Sequence, residues 1–118
     1  MRRGEVYLAD LVPRSGSEQT GRRPVIVVSR DAMNLSPTWR SIVVVPLSTS
    51  EAQARRGRTA VPIPKGAGGL QREGVALCHQ VTTLDRSKLL KRLGMLDREI
   101  LAQVEDGLRV TLEIETRF

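Results

Sequence analysis

The sequence predicts a mainly β fold with one late helix (α+β), a small twisted antiparallel sheet or partly open barrel. Three observations carry this expectation. Five or six short runs rich in β-branched residues are spread over residues 5–83. Glycines and prolines punctuate the polar stretches between them, and convincing helical spacing of apolar residues begins only after Asp97. The 118 residues make one domain, 1–118, with a core of modest size. Tyr7, Trp39 and Phe118 are the whole aromatic set, so Val, Leu and Ile must build that core.

Glu5-Val6-Tyr7-Leu8-Ala9-Asp10-Leu11 reads as a first strand with Val6 and Leu8 on one face, ended by Pro13. Arg14 to Arg23 is a polar loop. Val25 to Ser29 is nearly continuous in β-branched residues, the pattern of a strand covered on both faces. After a loop from Asn34 to Arg40, Ile42 to Val45 repeats that pattern, and Pro46 closes it. Ser50 to Arg58 is a loop carrying Arg55, Arg56 and Arg58. Thr59 to Pro64 reads as an edge strand, because its prolines lack ladder donors. Gly66 to Gly69 is a turn or flexible tip, and Gly74 to Thr83 one further strand. Asp85 caps a helical turn that reaches Leu89. The helix starts at Asp97, whose carboxylate can accept from first-turn amides. Leu96 and Leu101 form a hydrophobic staple, and Ile100, Leu101, Val104 and Leu108 share a face that either completes the core or serves a dimer interface. Gly107 weakens the helix end.

The net charge of +6 is uneven, with 16 basic against 7 acidic side chains through residue 96. Sixteen of the nineteen basic residues are arginine, whose planar fork grips phosphate with two hydrogen bonds. A polyanion partner is favoured, and the acidic helix is a poor surface for it. Cys78 lies in an apolar run as a buried small hydrophobe, and a lone cysteine allows no internal disulfide, which fits a reducing cytoplasm. No signal-peptide pattern precedes the first strand. The longest strongly apolar run, Ile42 to Leu47, is far below the roughly 18 residues that span a bilayer. A soluble cytoplasmic protein with no membrane partner is expected.

The usual catalytic sets are missing. His79 has no second His or Cys at ligand spacing, which argues against a metal site, and no cofactor loop of the P-loop type is present. His79 and Gln80 fall on opposite faces of a strand by alternation, so His79 reads as structural or solvent-facing. Chemistry is left to Arg, Ser, Thr, Glu and Gln. Cleavage of RNA suits that set, because the substrate brings its own 2′-hydroxyl nucleophile. The protein must stabilise charge at phosphorus and help move protons, and no metal is required.

Four stretches, in order, resemble the MazF/PemK family of toxin ribonucleases. They are Arg3-Gly4-Glu5-Val6-Tyr7-Leu8-Ala9-Asp10-Leu11; Gly16-Ser17-Glu18-Gln19 with Gly21-Arg22-Arg23-Pro24-Val25; Val44-Val45-Pro46-Leu47-Ser48-Thr49; and Gly74-Val75-Ala76-Leu77-Cys78-His79-Gln80-Val81. The resemblance spans nearly the whole chain and is weakest from Glu51 to Gln71. It implies an SH3-like barrel of the PemK/CcdB kind, a homodimer, and metal-independent, sequence-specific cleavage of single-stranded RNA. It also implies a cognate MazE-like antitoxin whose C-terminal segment covers the RNA groove.

Carried onto this sequence, the family's catalytic arginine is Arg23, and its strand-end hydroxyl, usually Thr, is Ser48 with Thr49 beside it. A guanidinium is a poor base, so Arg23 is expected to hold the scissile phosphate while Ser48 donates to a phosphate oxygen. Glu18 is the carboxylate available to take the 2′ proton, or else it only orders its loop. Ser17, Gln19, Thr49, Gln80 and Arg56 are the candidate RNA-binding residues. Trp39 is expected to pack rather than stack on a base. Two other readings share parts of this pattern. A CcdB-like gyrase-binding toxin would end in an apolar Trp-Gly-Ile tail, which Glu115-Thr116-Arg117-Phe118 does not resemble. A plain RNA-binding module would grip backbone without cutting it.

Overall fold

The structure, a computed structural model, describes residues 1–12, 15–16 and 18–114. The expected stop at Pro13, the candidate Ser17 and the tail from Glu115 lie outside the described residues. Seven strands form: β1 (Glu5–Asp10), β2 (Arg22–Val27), β3 (Ser41–Ser48), β4 (Ala60–Ile63), β5 (Gly74–Leu77), β6 (Thr82–Asp85) and β7 (Leu89–Met95). They are joined in one antiparallel sheet of order β4-β5-β3-β2-β1-β7, with β6 also pairing β3. The sheet is not closed, since β4 and β7 form its two ends. Three helices accompany it: α1 (Asp31–Asn34), α2 (Glu51–Ala54) and the long α3 (Arg98–Leu112).

β2 is covered on both faces, as its unbroken apolar run requires. Ile26 joins Val6, Val45 and Leu47 in one core cluster, while Val25 and Val27 join Ala9, Leu11, Ile42 and Val44 in the other. The first cluster is capped by α3 through Val104, with Ile100, Leu101 and Leu108 packed around it. The second is finished by Leu84 and Leu89. Asp97 caps α3 by accepting from the Ile100 amide at 2.8 Å, and Asp85 caps its turn by accepting from the Ser87 amide at 2.9 Å. β4 sits at a sheet end, the position that tolerates a proline such as Pro62.

Four expectations are corrected. Pro46 does not close β3, which runs on to Ser48. On one side β3 pairs β6 through Val44 and β5 from Leu47, so the missing Pro46 donor falls in the gap between two partners. Gly66 to Gly69 is no flexible tip: Gly68 is buried, and a Cβ on Gly69 would lie 1.9 Å from the Leu93 carbonyl of β7. The strand expected from Gly74 to Thr83 is broken by a 3-10 turn at Cys78–Gln80. Gly107 does not weaken the end of α3; it is buried within it, where a Cβ would meet Cys78 Sγ at 2.7 Å and Val61 Cγ2 at 2.8 Å. The helix instead ends at Glu113 in a left-handed conformation, with the Ile114 amide reaching back to Arg109 O at 3.0 Å.

No helix among the described residues is long and apolar enough to cross a membrane.

Candidate functional site

β2 reaches back to Arg22 because the end of β1 pairs with it, Ala9 opposite Arg23 and Asp10 opposite Arg22. On its other side, Val25 lies opposite Pro46 of β3. The β2–β3 pairing ends there; Arg23 lies two residues beyond Val25 and Ser48 two residues beyond Pro46, so alternation gives both the face of that pair. Arg23 is exposed. Its Nε donates to Thr20 O at 3.2 Å, and no carboxylate among the described residues pairs with it. Its guanidinium therefore keeps donors for a ligand. Ser48 is 6% exposed, and its Oγ accepts from the Ser50 amide at 3.1 Å. That contact fixes the oxygen and leaves the hydroxyl hydrogen to donate. Thr49 belongs to the other face. It lines recesses beside Pro62 and Ile63 and beside Pro24 and Leu70.

Along the Pro46 side lies a recess of about 260 Å³ lined by Leu11, Glu18, Gln19, Pro46, His79 and Gln80, among others. Gln80 Oε1 accepts from the Gln19 amide at 2.8 Å, so the loop before β2 is tied to the 3-10 turn after β5. Glu18 is exposed; its amide donates to Ser15 O at 3.3 Å, and the Ser15 hydroxyl donates to its Oε1 at 3.5 Å. Glu18 and Gln19 thus share one concavity with Gln80, which lies 61 residues beyond Gln19 in sequence. Arg56 follows α2 on an exposed loop, its Nε donating to Gln53 Oε1, and its charge reaches His79.

His79 was not recognised from alternation, because a strand would send it away from Gln80. The 3-10 turn rotates both into the recess. A signal was present, since Cys78 and Val81 are apolar and three apart, the spacing that eclipses on a 3-10 turn, and both join the core under α3. The His79 ring is half-buried, with Nδ1 enclosed and without a hydrogen-bond partner. Desolvation, and then the Arg56 charge, hold its pKa below the ordinary 6.5. The neighbouring Cys78 thiol is pushed up to about 11 by burial alone, which leaves it inert as a nucleophile at neutral pH. Trp39, expected to pack, is 43% exposed with its indole N–H donating to Ser41 O at 2.6 Å.

Fold and site together define a small open β-sheet protein with an exposed arginine and a buried strand-end hydroxyl on neighbouring strands, and a recess lined by carboxylate, amide and imidazole. The sequence pattern of PemK-like, MazF-like toxins of type II toxin-antitoxin systems matches residues 2–112, and the chain belongs to that family. It is 36% identical over 115 residues to Endoribonuclease EndoA of Bacillus subtilis, covering 97% of this chain and 96% of that one. It is 38% identical over 117 residues to Endoribonuclease MazF of Staphylococcus saprophyticus, covering 98% and 94%. Among solved structures, MazE–MazF (Form-II) from Deinococcus radiodurans superposes with a TM-score of 0.74 at 27% identity, over 98% of this chain and 97% of that one.

Proposed function

We propose that this chain is the toxin of a toxin–antitoxin pair and an endoribonuclease that cuts single-stranded mRNA at short sequences without a metal, arresting translation and growth. The enzyme class follows from family membership and from curated endoribonucleases at 36% and 38% identity over nearly the full length. The observation that supports the chemistry is the β2–β3 register, in which Val25 lies opposite Pro46; Arg23 and Ser48 each lie two residues beyond that pair, and Pro46 lines the recess that holds Glu18 and Gln80.

In this reading the ribose 2′ oxygen attacks the adjacent phosphorus, and the bond from phosphorus to the 5′ oxygen breaks. Arg23 steadies the charge gathering on the phosphoryl oxygens, and Ser48 donates to one of them. Glu18 accepts the 2′ proton, and the leaving 5′ oxygen takes a proton from water. The products are a 2′,3′-cyclic phosphate and a 5′-hydroxyl. Gln19 and Gln80 line the path of the strand beside the cut, and Arg56 holds a flanking phosphate. Ser17 completes the strand's contacts in the family's manner. The working form is a cytoplasmic homodimer. A MazE-like antitoxin is the partner, by analogy with the MazE–MazF structure from Deinococcus, and the family resemblance implies that its C-terminal segment covers the same groove.

Incubating the purified protein with a long single-stranded RNA in excess EDTA tests the reading. Fragments with cyclic phosphate and 5′-hydroxyl ends are expected. RNA that is retained but uncut would support a binding module instead.

A further inference from the structure

The recess lined by Glu18, Gln19 and Gln80 also holds His79, which the cleavage chemistry leaves without a role. His79 Nδ1 is enclosed and unpartnered, whereas Nε2 is the ring's open nitrogen and no described residue bonds to it. In a neutral imidazole one nitrogen donates and the other accepts. Enclosing an unpaired N–H is rarer and costlier than enclosing an unpaired lone pair, so the proton belongs on Nε2, where water or a ligand can meet it. An imidazolium would enclose an N–H with nothing to receive it, next to the Arg56 charge. The ring thus shows the recess a single N–H donor. Leu11, Pro46 and Val81 give that recess an apolar floor, and Glu18 supplies its carboxylate. An apolar floor with a directional N–H donor among the polar groups of its lining, Glu18, Gln19, Gln80 and Thr82, suits a flat heterocycle splayed from a single strand, the state in which RNA bases are read.

We propose that His79, through Nε2–H, donates to an acceptor atom of a nucleobase seated in this recess, a keto oxygen or an unprotonated ring nitrogen, and so selects one base of the cut sequence. The inference rests on the endoribonuclease reading and names a specificity residue for it. His79 acts on the choice of site, not on the bond that breaks.

The test is to map cut ends on a long RNA for wild type, H79F, H79Q and H79A, each checked for folding by its thermal melt. H79F keeps a planar ring without a donor, and H79Q keeps an N–H donor without the ring. H79F and H79A are expected to lose about 3- to 10-fold of the base preference at one fixed position from the cut, the worth of one neutral hydrogen bond, while total cutting persists. H79Q is expected to retain most of that preference. Unchanged base frequencies in H79F at every position overturn the inference while leaving the nuclease reading intact. Preference kept by H79F but lost by both H79A and H79Q overturns it as well, because that pattern is stacking. Should H79F not fold, H79A and H79Q decide the matter by the same comparison. A wild type that cuts nothing removes the nuclease reading itself, and this inference with it.

Discussion

Gly107 offers a test in which two physical effects oppose each other in sign. Helix propensity alone favours Gly107→Ala by about 1 kcal/mol, because alanine loses less backbone freedom. Packing says the reverse. The new methyl would sit 2.7 Å from Cys78 Sγ and 2.8 Å from Val61 Cγ2, on residues 0% and 7% exposed, where ordinary contact begins near 3.5 Å. Overpacking of this kind costs about 1–3 kcal/mol, and the tightness of both contacts argues for the upper half of that range. The net expectation is a loss of about 1–2 kcal/mol, or a fall in Tm of about 3–8 °C for a domain of this size. Differential scanning calorimetry at neutral pH measures it. Adding Cys78→Ala removes one of the two obstructions, so the double variant should recover about 1 kcal/mol beyond additivity. Cys78 immediately precedes the His79-Gln80 turn, so Gly107→Ala should also alter RNA cutting before it unfolds the protein. A rise in Tm for Gly107→Ala would mean that α3 does not press on this turn as described.

Other expectations follow from the same coordinates. Asn34 is 1% exposed, accepts from the Ser29 hydroxyl at 2.6 Å and donates to Ser29 O at 2.7 Å, so Asn34→Ala should lose about 2–4 kcal/mol in urea unfolding. Stability unchanged within 0.5 kcal/mol, a shift on the order of surface substitutions, would contradict that network. The Cys78 thiol ionises near 9.0 when unfolded and near 11 when folded. Its contribution is therefore present below pH 9 and lost as pH rises towards 11, and at pH 8 a thiol reagent should label it only on unfolding. Rapid native labelling would refute the burial. On uncleavable 2′-O-methyl RNA, Arg56→Ala should flatten the slope of log affinity against log salt by about 0.7, one phosphate contact, whereas an unchanged slope would free Arg56 from the groove.

Much of this architecture was legible in the residues, and the gaps have physical causes. Val25-Ile26-Val27 announced a strand buried on both faces, and Asp97 with Ile100, Leu101, Val104 and Leu108 announced the helix that covers one of them. β7 was not legible, because Leu89-Leu90-Lys91-Arg92-Leu93-Gly94 has no clean alternation; as an end strand with two register shifts against β1 it does not need one. Pro46 looked like a terminator because a proline's effect depends on which neighbour its absent donor would have faced, and that is a tertiary fact. Arg23, Ser48, Glu18 and Gln80 are nominated by motif resemblance. Their mutual placement depends on the β2–β3 register and on the Gln19–Gln80 bond, neither of which is local in sequence. His79 was missed because one 3-10 turn reversed its face.

The central claim turns on one arginine rather than on positive charge in general, and the neighbouring Arg22 separates the two. Arg22 is also exposed, stands opposite Asp10 in the β1–β2 register, and by alternation faces the other side of β2. Single-turnover cleavage of one defined RNA in EDTA, compared among wild type, Arg22→Ala and Arg23→Ala, is the most direct measurement. The account expects Arg22→Ala within a few-fold of wild type and Arg23→Ala slower by roughly 100- to 1,000-fold with its melt unchanged. Equal rates for Arg23→Ala and wild type, or equal losses in the two variants, would contradict it.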